Sequence, residues 1–304
     1  MSNYFQFISF LLFYSLYYST LCPAIQYSHP HDQNLLLLTF KESFSIDQSN
    51  SDYFSCRSSY PKTLSWNKST DCCSWDGVTC DKITGNVVEL DLSCGQLSGS
   101  IDSNSSLFLL PHLRRLNLAY NQISGSKISM IFGNFSQLEH LNLSNNGFSG
   151  QVPSEILKLT ELTTLDLSDN AFTIGSDIFK LLLTNFTKLS QVSLHYLNVF
   201  SSFPKNLSSS LEIVQLYGNN LHGKLPYNIF HLPNLKTLDL GGNSQLYGLL
   251  PSVKWNSHTT LQWLDLSDIQ FLGKLPDSIG NLKALKCLDL SGCGFSGTIK
   301  PSGC

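Results

Sequence analysis

The stretch Leu138-Glu139-His140-Leu141-Asn142-Leu143 decides the fold of this chain. Its apolar spacing, Leu-x-x-Leu-x-Leu with valine as an occasional substitute, occurs nine times at intervals of 22 to 27 residues. The fourth and sixth positions of the nine motifs are Leu90/Leu92, Leu116/Leu118, Leu141/Leu143, Leu165/Leu167, Val192/Leu194, Val214/Leu216, Leu238/Leu240, Leu264/Leu266 and Leu288/Leu290. A single unit would leave its leucines in water, so the units must stack to bury them. The recurrence therefore predicts a solenoid, a fold suited to binding rather than catalysis.

An asparagine stands three positions after the sixth-position leucine in five of these units, and a cysteine takes its place in the last. The residues are Asn121, Asn146, Asn170, Asn219, Asn243 and Cys293. Because buried polar groups need hydrogen-bond partners, we expect each amide to bond the free backbone groups of the turn that follows the strand. The asparagines are therefore interpreted as structural.

A second pattern, Leu/Phe-x-Gly-x-Ile/Leu/Val-Pro, follows the turn in residues 148–153, 221–226 and 271–276. Its glycine allows a bend that a side chain would obstruct, and its proline suits an edge where no amide donor is needed. Residues 141–153 and 165–172 resemble the plant-specific class of extracellular leucine-rich repeats. The resemblance implies an α/β solenoid, a leucine-rich-repeat superhelix with a disulfide-bonded N-terminal cap.

The N-terminal segment predicts export from the cell. Residues 5–21 are almost entirely apolar or aromatic and carry no charge, and the run is slightly shorter than the ~20 residues of a membrane-spanning helix. We interpret residues 1–24 as a secretory signal peptide, although no basic residue precedes the apolar run. An uncleaved anchor and a buried strand are the alternatives.

The even repeat spacing predicts one elongated domain after this signal. We expect the N-terminal cap over residues 25–84 and about nine repeats over residues 85–304, without a C-terminal cap or a transmembrane span. Terminal repeats normally need a polar outer face. The sequence is therefore interpreted as a fragment or as the product of a shortened gene.

The predicted cap begins with a helix. Asp32 is placed to accept bonds from the first-turn amides, and Leu36, Leu37, Phe40 and Phe44 recur at helical spacing on one face. We expect this face to close the open end of the leucine core.

The run of residues 66–80 closely resembles the plant leucine-rich-repeat N-terminal cap. Adjacent cysteines rarely bridge each other, so we expect the pairs Cys73 with Cys80 and Cys72 with Cys56. Cys22 is a rival partner for Cys72, because the cysteine that precedes the helix in related caps is missing at residues 29–31. The cysteines that remain without an assigned partner are Cys94, Cys287, Cys293 and Cys304.

Six Asn-x-Ser/Thr sites support an exported glycoprotein. They are Asn67, Asn104, Asn134, Asn142, Asn185 and Asn206. Five lie outside the strand motifs, whereas Asn142 lies between Leu141 and Leu143. A glycan on Asn142 would block that part of the inner surface.

Composition excludes several classes of function. The net charge is only −3, with 19 Lys+Arg against 22 Asp+Glu and no basic stripe of the kind that binds nucleic acid. The sequence has no His-Glu-x-x-His, no phosphate-binding glycine loop and no Gly-x-Ser-x-Gly elbow. His29 and His31 are interpreted as a solvated pair rather than as metal ligands. We predict a non-enzyme that needs no cofactor or metal.

The concave face of the solenoid is the expected binding surface, because corresponding positions of successive strands align there. Five aromatic or apolar residues interrupt its otherwise small, polar character: His195, Tyr196, Ile213, Tyr217 and Trp263. Tyr and Trp are common among interface hot spots. Together with Asp239 and Asp265 these residues form the predicted ligand-binding patch. The alternative is that they are scattered surface aromatics with no role.

Asp239, Asp265 and Asp289 occupy one strand position in three successive units, about 4.8 Å apart by sheet geometry. Like charges at this distance should raise the carboxyl pKa values. Stability contributed by a carboxyl with a raised pKa is lost as the pH rises through that value. We therefore expect better stability in the acidic plant cell wall than at neutral pH, unless Lys236 and Lys286 neutralise the row.

Residues 32–299 resemble the N-terminal part of plant receptor-like proteins of the Cf disease-resistance class, with the strongest matches at 65–70, 72–81, 104–108 and 254–257. The resemblance implies recognition of a pathogen-derived protein or peptide outside the cell and signalling through a receptor-like kinase. It implies a location on the extracellular side of the plasma membrane, or in the apoplast if the chain is complete. A secreted inhibitor similar to polygalacturonase-inhibiting proteins and a truncated, non-signalling fragment are the alternatives.

Overall fold

The computed structural model describes residues 30–48, 56, 59–251 and 260–296, with side chains from residue 33 onward. The segment interpreted as a signal peptide, Cys22, His29, Cys304 and the side chains of His31 and Asp32 lie outside the described residues. Two α-helices are present in this part of the chain, α1 over Pro30–Lys41 and α2 over Ser176–Asn185. Neither has the length and apolarity that a membrane crossing requires.

Short strands dominate the described part of the chain. In chain order they are β1 Phe44–Ile46, β2 Val78–Cys80, β3 Val87–Asp91, β4 Leu97–Gly99, β5 Arg115–Asn117, β6 Gln122–Ile123, β7 His140–Asn142, β8 Ser149–Gln151, β9 Thr164–Asp166, β10 Ala171–Thr173, β11 Gln191–Ser193, β12 Ile213–Gln215, β13 His222–Lys224, β14 Thr237–Asp239, β15 Gln245–Gly248, β16 Trp263–Asp265, β17 Gln270–Phe271 and β18 Cys287–Asp289. They form four sheets.

The largest sheet follows the nine sequence motifs. Its parallel strands run in the order β3, β5, β7, β9, β11, β12, β14, β16, β18, and β2 joins β3 antiparallel at the N-terminal end. We number the nine coils of the solenoid by these strands, so that coil 1 contains β3 and coil 9 contains β18. The predicted solenoid is confirmed, and its main sheet contains a parallel strand at each of the nine motifs.

The fourth-position residues of neighbouring coils lie in register, as in Leu116 beside Leu141 and Leu141 beside Leu165. From coil 1 to coil 8 the fourth- and sixth-position side chains are almost completely buried, and they belong to one continuous core. Leu288 in coil 9 is 40% exposed, because β18 has a neighbour on one side only within the described residues.

The second sequence pattern forms smaller sheets beside the main one, in the orders β1-β4-β6, β8-β10 and β13-β15-β17. Gly150 in β8 and Gly223 in β13 have φ values of +83° and +87°. A residue with a Cβ atom rarely adopts this left-handed region, which explains the glycine in the pattern. The outer side of the coils carries short 3-10 helices, including Ser154–Lys158 and Tyr227–His231, and α2 lies there in the longest repeat.

The asparagines that follow the strands, which we term the asparagine ladder, form hydrogen bonds to the backbone, as predicted. In coil 7, Asn243 Nδ2 donates to the carbonyl oxygens of Leu216, Leu240 and Gly241 at 2.7–3.2 Å. Its Oδ1 accepts from the N–H groups of Asn219 and Leu221 at 3.0 Å. Asn121, Asn146 and Asn170 likewise tie their own turns to the preceding coil. Asn219 departs from the prediction, because its Nδ2 donates to the Tyr217 carbonyl of its own turn and its buried Oδ1 has no hydrogen-bond partner among the described residues. In coil 9 the Cys293 thiol donates to the Leu266 carbonyl, at 2.9 Å.

The cap differs in part from its prediction. Leu36, Leu37 and Phe40 are buried and close the core, as expected. The helix begins at Pro30, so Asp32 lies within its first turn rather than at its N-cap. Phe44 belongs to β1 instead of the helix, because β1 pairs with β4, and its ring packs edge-on against Phe40 with centroids 5.0 Å apart.

One predicted disulfide is present and the other is wrong. Cys73 bridges Cys80, whereas Cys56 bridges Cys94 rather than Cys72. Cys72 is buried within the core and has no disulfide partner among the described residues. Its burial, followed by the charge of Asp71, raises the pKa of its thiol to about 11. The direction of the side chains explains this connectivity. The Cys72 side chain points into the core, whereas Cys94 follows the first strand of the solenoid and is available to Cys56.

Candidate functional site

The concave face carries a groove of about 440 Å³ along coils 1 to 6. Side chains at the third and fifth motif positions line it, because they alternate with the buried fourth position along each strand. Examples are Arg115, His140 and Gln215. Of the predicted ligand-binding patch, only Ile213 lines this groove. The other patch residues lie in coils 5, 7 and 8 or at the end of the coil 6 strand, beside the groove rather than within it.

Internal contacts fix the polar lining of the groove. Arg115 Nε lies 3.3 Å from Glu89 Oε1, and the His140 ring hydrogen-bonds the Thr164 hydroxyl. Burial, followed by the charge of Arg115, lowers the pKa of His140. The histidine is therefore neutral at neutral pH, and the groove is a polar surface with little free positive charge.

The residue two positions after the sixth-position leucine, which we call the eighth motif position, has a left-handed backbone conformation in every coil. The residues are Cys94, Tyr120, Asn145, Asp169, Tyr196, Gly218, Gly242, Asp268 and Gly292, with φ between 50° and 69°. This conformation costs a residue with a Cβ atom roughly 1 kcal/mol or more, and Asn, Asp and Gly tolerate it best. This conformation could have been predicted from the sequence, because Asn, Asp or Gly recurs at the eighth motif position in most coils. Tyrosine is unusual there, so Tyr196 occupies a strained position beside the concave face.

Tyr196 and Tyr217 form what we term the aromatic ledge. Their ring centroids lie 5.3 Å apart in an edge-on arrangement, and Tyr196 is 60% exposed. Glycines of the next coils make room for both rings. A Cβ atom on Gly218 would lie 3.1 Å from the Tyr196 ring, and one on Gly241 would lie 2.9 Å from the Tyr217 ring. Coils 6 and 7 therefore leave space for the rings where other coils carry side chains.

Trp263 lies two coils from Tyr217 along the same face. It is the first residue of β16, directly beside Thr237 of β14, and it is 46% exposed. Ile213 and Tyr217 of coil 6 and Trp263 of coil 8 thus present apolar surface on the same face. The structure brings the rings of Tyr196 and Tyr217 together, and Trp263 lies on the same face two coils further on.

His195 and Asp239 face each other across coils 5 to 7, with Nδ1 and Oδ2 3.8 Å apart. Their side chains are only 19% and 14% exposed. Burial lowers the pKa of His195. Burial, followed by the charge of Asp265, raises the pKa of Asp239 to about 6. At neutral pH the pair therefore consists of a neutral imidazole and a carboxylate, not an ion pair.

The aspartate row has the predicted register, with Asp239 beside Asp265 and Asp265 beside Asp289. The predicted rise in pKa is present at Asp239 and wrong at Asp289. Asp289 is exposed, and hydrogen bonds from the Ser291 backbone N–H and hydroxyl lower its pKa. Lys236 does not neutralise the row by ion pairing, because its Nζ pairs with Glu212 at 2.6 Å.

We expect Asp239→Asn to increase the free energy of unfolding at pH 7 by about 2 to 3 kcal/mol and to change it little at pH 4. The folded pKa of Asp239 is raised from 3.8 to about 6. Its stabilising contribution is therefore complete below the unfolded value and is lost as the pH rises through about 6. Urea denaturation from pH 4 to pH 7 measures the difference.

Asp289→Gln is the matched control for this prediction, because asparagine at position 289 would form an Asn-x-Ser glycosylation site with Ser291. Because the pKa of Asp289 is lowered, its contribution is present above the unfolded value, so its loss should reduce stability at pH 7. If Asp239→Asn changed stability equally at every pH, the titration of Asp239 would not be the cause.

The glycosylation sites differ in exposure. Asn67, Asn104, Asn134, Asn185 and Asn206 are exposed. Asn142 is half-buried on the concave face, and its Oδ1 accepts from the Ser144 N–H and hydroxyl at 2.9 and 2.7 Å. Glycans on the five exposed sites would leave the groove open, and occupancy of all six sites stays a prediction.

Comparison with known proteins separates an N-terminal cap from the repeats, as the structure does. The profile of the leucine-rich-repeat N-terminal domain matches residues 30–81, and leucine-rich-repeat profiles match residues 111–172, 260–282 and 284–304. The chain is 45% identical to "Receptor-like protein Cf-9" of Solanum pimpinellifolium over 85% of its own length. The chain belongs to the leucine-rich-repeat receptor-like proteins of the Cf class. Within this family it is also 39% identical, over 84% of its length, to "Receptor-like protein 6" of Arabidopsis thaliana.

This receptor-like protein chain spans 31% of the length of the Cf-9 protein and 27% of that of Receptor-like protein 6. Among solved structures, it resembles the HAESA ectodomain of Arabidopsis in complex with an extended IDA peptide hormone. The TM-score is 0.66 with 29% identity, covering 88% of this chain and 46% of HAESA. The Arabidopsis GASSHO1/SCHENGEN3 ectodomain, in complex with CASPARIAN STRIP INTEGRITY FACTOR 2, has a TM-score of 0.63 with 27% identity. That match covers 88% of this chain and 33% of the neighbour.

Proposed function

We propose that this chain is the ligand-recognition part of an extracellular receptor in plant defence. In this proposal it binds a pathogen-derived peptide or protein through its concave face, and it signals through a partner receptor kinase. The aromatic surface of Tyr196, Tyr217 and Trp263 beside an open polar groove carries the proposal. Membership of the Cf class supports the receptor role, and the peptide complexes of the HAESA and GASSHO1 ectodomains support a peptide-like ligand.

The size of the face suits a short extended segment. Nine parallel strands at a spacing of about 4.8 Å extend over roughly 38 Å. An extended peptide covers this length with about 11 residues at about 3.3 Å each. A ligand of this size could contact the groove in coils 1 to 6 and the aromatic surface in coils 5 to 8 at the same time.

We further propose that the protein reaches this location through the secretory pathway. The two disulfides support an oxidising compartment. The five exposed glycosylation sites lie away from the groove lining. Glycans would then cover the outer surfaces of the coils while the concave face stayed accessible.

Tyr196→Gly is the sharpest test of the concave site. Because Tyr196 has a φ of 53°, glycine relieves backbone strain, and we expect the variant to be at least as stable as the parent. Loss of the ring should nevertheless weaken a ligand held at the ledge about tenfold or more. Decapeptides selected from a random library on the secreted, glycosylated protein serve as ligands, and calorimetry measures their affinity.

Tyr120→Gly is the matched control, because Tyr120 occupies the same left-handed position in coil 2, away from the ledge. It should leave the affinity unchanged. Selected peptides that bind equally well to both variants, or failure to select any peptide, would count against the proposed concave site.

A further inference from the structure

Negatively charged aspartate side chains lie near the aromatic ledge. The pKa of Tyr217 is raised first by Tyr196 and then by its partial burial. Three nearby carboxylates raise it further, those of Asp268, Asp265 and Asp239. The same surface includes Asp166 and Asp169, whose charges act on His195. A Cβ atom on Gly241 would lie 2.7 Å from Asp265 Oδ1 and 2.9 Å from the Tyr217 ring, so the coil 8 carboxylate lies close to this ring.

No lysine or arginine within residues 33–48, 59–251 and 260–296 forms an ion pair with these carboxylates. The Lys and Arg ion pairs there join Lys62 to Asp91, Arg115 to Glu89, Lys188 to Glu161 and Lys236 to Glu212. Asp239 contacts only His195 in this way, and that histidine is neutral at neutral pH. The described surface thus has a local excess of negative charge.

Hydrogen bonds hold the carboxylates in place without neutralising them. Asp265 Oδ1 accepts from the Ser267 N–H and hydroxyl at 2.9 and 2.7 Å, and Asp239 Oδ1 accepts from the Gly241 N–H at 3.3 Å. The Asp268 side chain is exposed and lies over Gly292 of the next coil, where a Cβ atom would be 2.3 Å from its Oδ1. The Asp239 and Asp265 carboxylates are therefore fixed in position by these bonds.

This arrangement discriminates among ligand side chains. An apolar side chain on the ledge would desolvate carboxylates without giving them a partner, which is unfavourable. An acidic side chain would be repelled. A guanidinium or ammonium group can contact an aromatic face and pair with the carboxylates at once, and both interactions strengthen as water is excluded.

We propose that the ledge of Tyr196 and Tyr217, together with Asp265 and Asp268, is a pocket for a basic side chain, arginine or lysine, of the peptide ligand. The inference rests on the proposed function and makes it more specific. It assigns the basic residue of the ligand to coils 5 to 8, and it leaves the polar groove of coils 1 to 4 to the remainder of the peptide. Trp263, on the same face, borders the position of the neighbouring ligand residue.

The experiment uses the secreted chain and the peptide selection described above. Peptides selected on the unsubstituted protein should share an arginine or lysine. Replacing that arginine by citrulline removes the charge and keeps the shape, and replacing that lysine by acetyl-lysine removes the charge but enlarges the end of the side chain. We expect the affinity to fall about tenfold or more, the scale of a desolvated charge pair.

Asp265→Gln/Asp268→Asn is the variant that locates the charge partner. Glutamine already occupies the position of Asp265 in coil 6, where Gln215 ends its strand, and unlike asparagine it forms no Asn-x-Ser glycosylation site with Ser267. In this variant the neutral and charged peptides should differ by less than about threefold, because the two carboxylates assigned to the pocket are gone. The control variant Asp102→Asn/Glu155→Gln removes two charges from other surfaces and should keep the full difference.

The outcomes separate the two proposals. If selected peptides lose affinity with Tyr196→Gly but contain no shared basic residue, the basic pocket is refuted and the concave site stands. A shared basic residue whose charge effect persists in Asp265→Gln/Asp268→Asn also refutes the pocket. If no peptide is selected, or none responds to Tyr196→Gly, the concave site itself is refuted.

Discussion

Asn243→Ala is expected to lower the free energy of unfolding by about 3 to 5 kcal/mol. The amide makes five hydrogen bonds to backbone groups of coils 6 and 7, and the residue is 1% exposed. Alanine leaves those donors and acceptors without partners, in a place that water does not reach. Each buried group without a partner costs about 1 to 3 kcal/mol, and relaxation of the turn recovers part of the sum.

Urea denaturation followed by circular dichroism measures this loss. Asn234→Ala is the control, because the exposed Asn234 amide makes a hydrogen bond to the Ser209 carbonyl that water can replace, and its effect should stay below about 1 kcal/mol. The loss of stability in Asn243→Cys should lie between those of Asn243→Ala and Asn234→Ala, since the Cys293 thiol bonds the preceding coil in coil 9 with one hydrogen bond. A loss below about 1 kcal/mol for Asn243→Ala would contradict the structural role of the ladder.

Removing the Cys56–Cys94 disulfide is the second change with a large expected effect. The bridge joins residues 38 positions apart, and closing a loop of this length restricts the unfolded chain by about 4 kcal/mol. We expect Cys56→Ser/Cys94→Ser to lose a similar amount of stability, with the solenoid beyond coil 1 retained. Denaturation of the non-reduced protein measures the change.

Cys287→Ser is the matched control, because Cys287 is half-buried and forms no disulfide within the described residues. It should change stability by less than about 0.5 kcal/mol. Mass spectrometry of non-reduced peptides tests the connectivity directly. It should recover Cys56 linked to Cys94 and Cys73 linked to Cys80. A peptide that links Cys56 to Cys72 would overturn the observed pairing.

The repeat pattern predicted the main sheet because its information is local. Leu141 and Leu143 point to the core wherever the chain forms a strand, and the same spacing in the next unit places Leu165 beside Leu141. The role of Asn121 and its counterparts was predictable for the same reason, since the turn they stabilise is close in sequence. The cap helix α1 was predictable from its apolar face, whereas α2, on the outer side of the longest repeat, was not predicted.

The proposed binding surface was predictable only in part. Sequence position placed Tyr196, Tyr217 and Trp263 on one face, but it gave neither the groove in coils 1 to 6 nor the glycines that make room for the rings. The left-handed eighth position was written in the sequence as Asn, Asp or Gly in most coils. It was missed because no single occurrence distinguishes it from an ordinary turn.

The pKa values of the aspartate row could not be predicted from sequence spacing alone. Asp239 and Asp289 occupy equivalent positions, and spacing alone predicted the same shift for both. Asp239 lies buried near Asp265, whereas Asp289 is exposed and bonded to Ser291. Burial, which depends on the neighbouring coils, decides the direction of the shift.

The sequence by itself determined the solenoid, the number of its coils and the side of each strand that faces away from the core, because a regular period fixes side-chain direction residue by residue. Only the tertiary structure decided the pairing of Cys56 with Cys94, the unequal titration of the aspartates and the setting of the tyrosine rings among carboxylates. These properties depend on distances between residues of different coils. The chain acquires those distances only when the coils stack.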